Sequence, residues 1–434
     1  MTEVEFILYI TISISIVSTS LSFFLNQKFI VASTAYWVGW LFLTFGADYG
    51  VSNNWIGDIS QTASSLIMQM HIGAFCGFLM GNILSITRNR GRIQNENFIE
   101  RVELILRLFY TKILLILFII GFILFIQRLS STGFNLSFLT DIRQVYLERN
   151  FSFLGWLGTH ISMVANVLVI LLAVSHANKR MDLKQLSLCI LAGAPLGLAS
   201  GGRIFLLNYF LLYLSSFLLC RSSINKCKTL LSLSEWRVAI LFLISLLCVF
   251  ALMGFYRGGY GEEFDIFYTI FSWPVSTIGA LDSWIAAATS SASTNGYYTL
   301  GWFAKFFQKI GINDYSNEVR VLIENLNFFE LVNDSAGVVP KSILPEIIFD
   351  FGVTAVPLVM FFIALVLQLI TLNLAIKGVV YHVLASYVLF MSFMTIQTSV
   401  ITSGLITNVF WAVVISVMIR EKKIGPWLIK ISEK

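Results

Sequence analysis

Three arginines and two carboxylates carry the chemistry that this sequence offers. Arg143, Arg203 and Arg257 stand beside the ends of apolar stretches, and two adjoin glycines: Gly201-Gly202-Arg203 and Arg257-Gly258-Gly259. A guanidinium grips phosphate oxygens through a planar fork of donors, and neighbouring glycines leave backbone N–H groups open to an anion. Together they suit a diphosphate held at a membrane surface. Each arginine singly also fits a side chain that snorkels to ordinary lipid headgroups. Glu346 and Asp350, in Pro345-Glu346-Ile-Ile-Phe-Asp350-Phe-Gly352, are spaced i, i+4 and share one helix face. A carboxylate there can take the proton of a sugar hydroxyl or bind it. The same acids also fit a plain helix start, with Pro345 in the first turn and the dipole favouring negative charge. His160 is a further candidate base that equally fits a hydrogen bond to a neighbouring helix. No metal-ligand cluster, no Ser/His/Asp set and no nucleotide phosphate loop is present. The expected chemistry is therefore metal-independent and cofactor-free, driven by a preactivated substrate.

The elements that must position these residues are membrane helices. Apolar residues make up 57% of the 434 and charged residues only 12%, about half the usual charged share of a soluble domain. About eleven stretches are long enough to cross a bilayer, at roughly 20 residues each. They are 5–25, 29–47, 63–87, 110–126, 151–175, 185–201, 204–220, 237–256, 346–371, 379–400 and 404–420. The alternation of an outer-membrane barrel is absent, so the expected fold is all-α: a polytopic transmembrane bundle forming one integral-membrane domain over 1–434. Residues 257–345 form its one large extramembrane loop. Glu3 and Glu5 near the start, with no basic residue, are unlike a signal peptide.

Orientation follows from Lys and Arg. When alternate loops are assigned to opposite sides, 20 of the 29 basic residues fall in one set and nine in the other. The rich set, which includes Arg101, Lys179, Lys377 and Lys422, is assigned to the cytoplasm. The N-terminus, Arg143, Arg203, Arg257 and the large loop then lie outside. The net charge of +5 reads as this signature, and no aromatic–basic motif supports nucleic-acid binding. None of the five cysteines lies in an outside loop, so no disulfide framework is expected.

Further segments carry their own expectations. Residues 87–107 are basic and partly amphipathic, as for a stretch lying on anionic headgroups. Residues 267–288 are apolar but contain Asp282 and Pro274, which suits a surface amphipathic helix or a re-entrant element. The stretch 185–201 is rich in small residues around Pro195 and reads as a closely packed, buried helix.

Four features in order resemble the Wzy-type O-antigen (oligosaccharide repeat-unit) polymerases of bacterial inner membranes. They are Asp141-x-Arg143 with Tyr146, the Gly201-Gly202-Arg203 turn, Tyr256-Arg257-Gly258 opening the large loop, and the acidic Phe-Gly motif ending at Gly352. The arginine-to-glycine spacings described for some members do not follow Arg143 or Arg257. The resemblance implies a polyprenyl-diphosphate-dependent glycosyltransferase at the periplasmic face of the bacterial inner membrane. Its substrate would be undecaprenyl-diphosphate-linked oligosaccharide, the growing chain as donor and a new unit as acceptor. Asp350, Glu346 and Arg203 would then be catalytic, and Arg257, Arg143, Tyr146 and Tyr256 would bind substrate. Membrane lipids, a chain-length regulator and a flippase are the implied partners. An O-antigen ligase uses the same donor and similar charges, and a lipid-linked oligosaccharide flippase or transporter is the alternative of a different class.

The charge asymmetry places Asn295 and Asn333 outside and Lys179 and Lys422 inside. Single cysteines at these positions should react with an impermeant thiol reagent only at 295 and 333 in cells with a permeabilised outer membrane. Labelling at 179 but not at 295 would reverse the orientation.

Overall fold

The computed structural model describes residues 1–26, 28, 30–86, 96–132, 153–178, 183–199, 204–224, 275, 277–290, 329–330, 336–337, 343–374, 377–394 and 404–420. These are almost wholly helical. In chain order they form α1 (Glu3–Asn26), α2 (Ala32–Ser52), α3 (Gln61–Ile86), α4 (Glu96–Thr132), α5 (Phe153–Asn178), α6 (Leu183–Ala199) and α7 (Ile204–Ile224). There follow α8 (Leu281–Ser290), α9 (Ile343–Phe351), α10 (Val356–Leu374), α11 (Val379–Met394) and α12 (Gly404–Arg420). One two-residue antiparallel bridge pairs Phe329 with Gly337 and Glu330 with Ala336. Among the described residues, five helical segments are long and apolar enough to cross a membrane: Glu3–Asn26, Gln61–Ile86, Phe98–Gln127, His160–Asn178 and Val353–Leu374.

The chain sorts into two compact units. The first comprises Met1–Arg92, Phe267–Asn373 and Val388–Ile406; the second comprises Ile93–Ile266, Leu374–Tyr387 and Thr407–Lys434.

In the first unit, α1 packs on α2 and α3. Its inward face is Val4, Ile7, Thr11, Ser15, Ser18 and Ser22, while Ile16, Val17 and Phe24 point outward and are exposed. Small and hydroxylated residues inside, with large apolar ones outside, is the pattern of a helix solvated by lipid. A glycine stripe does the same for α3. A side chain at Gly73 would strike the Pro357 carbonyl, one at Gly77 the Phe361 carbonyl, and one at Gly81 would meet the Gln368 side chain at 2.8 Å. The order of these contacts makes α3 and α10 parallel. Gly73 lies twelve residues into α3, so α10 starts roughly 18 Å along α3, at 1.5 Å per residue.

At the far end of the same helices, a buried polar network replaces water. Asn82 donates to Ser22 at 2.9 Å, and its carbonyl accepts from Asn26 at 2.9 Å and Gln368 at 2.8 Å. The Gln368 carbonyl accepts from the Ser33 backbone N–H at 3.1 Å, and the Thr371 hydroxyl accepts from that of Ala32 at 3.2 Å. Two orphan donors of the α2 start are thereby satisfied from α10.

In the second unit, α4 packs on α5 and α6, and α5 on α7. The expectation for 185–201 holds on one face: Ala192, Leu196 and Ala199 are buried, while Leu188 and Leu191 are exposed. Gly193 faces the Tyr209 ring, and Gly121 of α4 lies against the Leu196 backbone. Of the stretch 87–107, residues 96–107 are described: they are the first turns of the 37-residue α4, with Phe98, Val102 and Ile105 buried and Arg101 and Arg107 exposed.

The glycine stripe yields a test. Gly77→Leu should lower the thermal stability of the detergent-solubilised protein, by about 1–3 kcal/mol as for overpacked cores. Gly57→Ala is the control, because a side chain there meets nothing within 4 Å.

Candidate functional site

The carboxylates expected at the surface start of a long span lie instead on α9, a separate buried helix of nine residues. Every residue from Ile343 to Asp350 on it is buried; Glu346 is 1% and Asp350 2% exposed, and each has a partner. Gly352 is the reason that the 346–371 stretch is not one helix. Its N–H closes α9 on the Ile348 carbonyl at 2.9 Å, and its own carbonyl accepts from Ala355 at 3.3 Å in a 3-10 turn, Val353–Ala355, that leads into α10. Its φ is +80°, a region that a residue with a Cβ adopts only under strain. The i, i+4 spacing does hold, so both acids share one face of α9.

That helix packs against α8 and α3. Of the stretch 267–288, residues 275, 277–280 and most of α8 are described, and they present a buried apolar face. Thr277, Ile278, Leu281 and Trp284 are buried, Gly279 packs on Ile56, and Gly50 packs on Val275. Asp282, half-buried in the first turn of α8, has a bonding partner. Its carboxylate accepts from the Ser60 N–H at 2.8 Å and from the Ser60 hydroxyl, and Ser60 in turn caps α3 by accepting from the Ala63 N–H at 3.2 Å. Asp58 does the same for α1, accepting from the N–H groups of Glu3 at 2.7 Å and Val4 at 3.1 Å. Asp58 thus ties the start of α1 to the segment ahead of α3, and Asp282 ties the start of α3 to α8. Sequence reading passed over Asp58 and over the capping role of Asp282. An acid followed by a serine two residues later, just ahead of a helix, was the available signal.

Asp48, near the end of α2, belongs to the same end of the unit. Partial burial, then the charges of Glu5 and Asp58, hold its carboxyl above the ordinary value of 3.8.

Three of the four histidines have structural partners on both ring nitrogens or are locked by a fixed acceptor. The Thr11 hydroxyl donates to the Ile7 carbonyl at 2.8 Å, so at 3.3 Å it accepts from Nε2–H of His71. Nδ1 of His71 then accepts from the Tyr36 hydroxyl at 3.1 Å. Trp37 and Trp40 stand edge-on to the ring. In the second unit, the Ser216 hydroxyl donates to the Ile170 carbonyl at 2.7 Å and accepts from Nε2–H of His382 at 2.9 Å. His176 accepts from Tyr213 at 2.8 Å and donates to the Gln185 carbonyl at 3.4 Å. These contacts place a proton on Nε2 of all three. His160, the remaining candidate base, is partly exposed on α5, 6.1 Å from the Trp411 ring. It lines an apolar cavity of about 310 Å³ with Leu157, Ile161, Val164, Phe410 and Trp411.

Arg143, Tyr146, Arg203, Tyr256 and Arg257 lie outside the described residues, so of the expected site the structure brings together Glu346 and Asp350. Among the described residues no cluster of His, Cys, Asp and Glu could hold a metal ion, and Cys76, Cys189 and Cys220 are free. Comparison of the chain with protein-family profiles, curated proteins and solved structures returned no match.

A raised carboxyl pKa means that the native state binds the proton more readily than the unfolded chain. That contribution to stability is full at low pH and is lost as pH rises through the raised value. Asp48→Asn should therefore be more stable than wild type at neutral pH. In thermal unfolding followed across pH, the gain should shrink as pH falls towards 3.8.

Proposed function

We propose that this protein is a membrane glycosyltransferase of the O-antigen polymerase type, a bundle of about eleven spans with its large loop and active face in the periplasm. The observation that carries the reading is the pair Glu346 and Asp350 on one face of the buried helix α9, next to the break at Gly352. A carboxylate withdrawn from bulk water is suited to take a proton from one bound hydroxyl. In the reaction, the acceptor sugar's hydroxyl oxygen bonds to the anomeric carbon of the growing chain. The anomeric carbon's bond to the diphosphate oxygen breaks, and undecaprenyl diphosphate leaves with the electron pair. The hydroxyl proton passes to the carboxylate. Positive charge is needed where the diphosphate departs; Arg203 would supply it, with Arg257 and Arg143 holding the diphosphate and Tyr146 and Tyr256 the sugars. The donor is preactivated, so neither nucleotide nor metal is required.

One observation favours a second reading. A helix broken at Gly352 beside two buried acids is a feature shared with transporters that bind cargo at discontinuous helices. The glycans of a strain lacking the gene separate the readings. A lipid A core capped with a single repeat is the expected outcome; a wholly uncapped core would point to a ligase or flippase.

Within the polymerase reading, Asp350→Asn or Glu346→Gln should slow in vitro joining of purified lipid-linked repeats by about 100- to 10,000-fold, the usual weight of a general base. Binding of the repeat unit should persist. Arg203→Ala should abolish polymer, and Lys at 203 should restore only part of it, because a point charge replaces a fork. Rates within a few-fold of wild type for both acid variants would leave them as structural residues, with His160 the next base to examine.

A further inference from the structure

The second unit holds an open groove of about 570 Å³ formed by the first turns of α4, residues 377–381 and the last turns of α12. Arg101 and Lys377 stand in its lining, both exposed. The walls are Ile105, Val379, Val413 and Val417, with the ring of Tyr381, and among the described residues no acid lines it. Tyr381, Val413 and Val417 stay 50%, 41% and 47% exposed, so the apolar wall opens outward without cover from the described residues. The position is set by helix ends. Lys377 lies two residues before α11, and Val417 three residues before the end of α12. Arg101 and Lys377 also fall in the same basic-rich set of loops. A cationic mouth where helices end, leading to an apolar wall along the helices, matches the order of a lipid: charged headgroup, then acyl chain.

We infer that this groove binds one anionic phospholipid, with its phosphate at the mouth formed by Arg101 and Lys377 and an acyl chain along the valine wall. A soluble anion would gain nothing from the wall, which is most of the groove. A zwitterionic lipid would bring its ammonium group towards two cations. The site is independent of the glycan chemistry above, because it needs neither α9 nor a lipid-linked sugar.

The test uses the full chain purified in mild detergent, with phosphatidylglycerol or phosphatidylcholine added and retention followed by native mass spectrometry. Wild type should retain phosphatidylglycerol in preference to phosphatidylcholine. The Arg101→Gln/Lys377→Gln double variant should weaken that retention roughly ten- to thirtyfold, the weight of two interfacial charges. Ser416→Trp should weaken it similarly by filling the groove without changing charge. Arg107→Gln, an exposed cation lost from the same helix, should change little, and inorganic phosphate should not displace the lipid. Equal loss with Arg107→Gln would mean diffuse attraction and overturn the site. So would undiminished retention in the double variant, equal retention of the two lipids, or displacement by phosphate.

Discussion

In hydrocarbon a backbone group that lacks a partner has no water to turn to, and the first unit is organised by that constraint. Helix interiors satisfy themselves; helix starts do not. The start of α1 is capped by Asp58, that of α3 by Ser60 held by Asp282, and that of α2 by Gln368 and Thr371. In each case part of the cap comes from elsewhere in the chain. The need to finish a helix therefore also fixes which helices are neighbours. The polar contacts that look functional in sequence are in several places the joints of the frame.

That distinction shapes the reading of the acids. Asp282 and Asp58 accept backbone N–H groups at helix starts, and their charge is used there. Glu346 lies in the first turn of α9 itself, and Asp350 one turn further on. Burial of a carboxyl group costs several kcal/mol unless partners offset it. Glu346 and Asp350 each have a partner within this buried setting.

The helical class and the apolar stretches were legible because each span signals itself through about twenty consecutive apolar residues. The buried face of 185–201 was legible for the same kind of reason: Ala192, Gly193 and Ala199 are small, and small residues mark close approach. What could not be read was where a continuous apolar run bends. Residues 346–371 look like one span, because hydropathy is blind to the φ of +80° at Gly352. The division into two units was equally invisible, since each is assembled from segments distant in sequence. The i, i+4 relation of Glu346 and Asp350 survived, because it depends only on local helix geometry; their depth did not, because depth depends on α8 and α3. The stripe Gly73, Gly77, Gly81 was present in the sequence as a four-residue repeat, but its partner α10 lies nearly 300 residues away.

That stripe also acts as a mechanical key. The Pro357 and Phe361 carbonyls are seated over positions that have no side chain. Sliding α10 along α3 by a fraction of a turn would lift these carbonyls off the positions that lack a Cβ. The glycine spacing thus sets discrete seats for α10, one helical turn apart. Any displacement of α9 relative to this locked pair must be taken up between Phe351 and Val356, where Gly352 is the residue without a Cβ. The acids stand beyond that turn, on a helix held against α8 and α3.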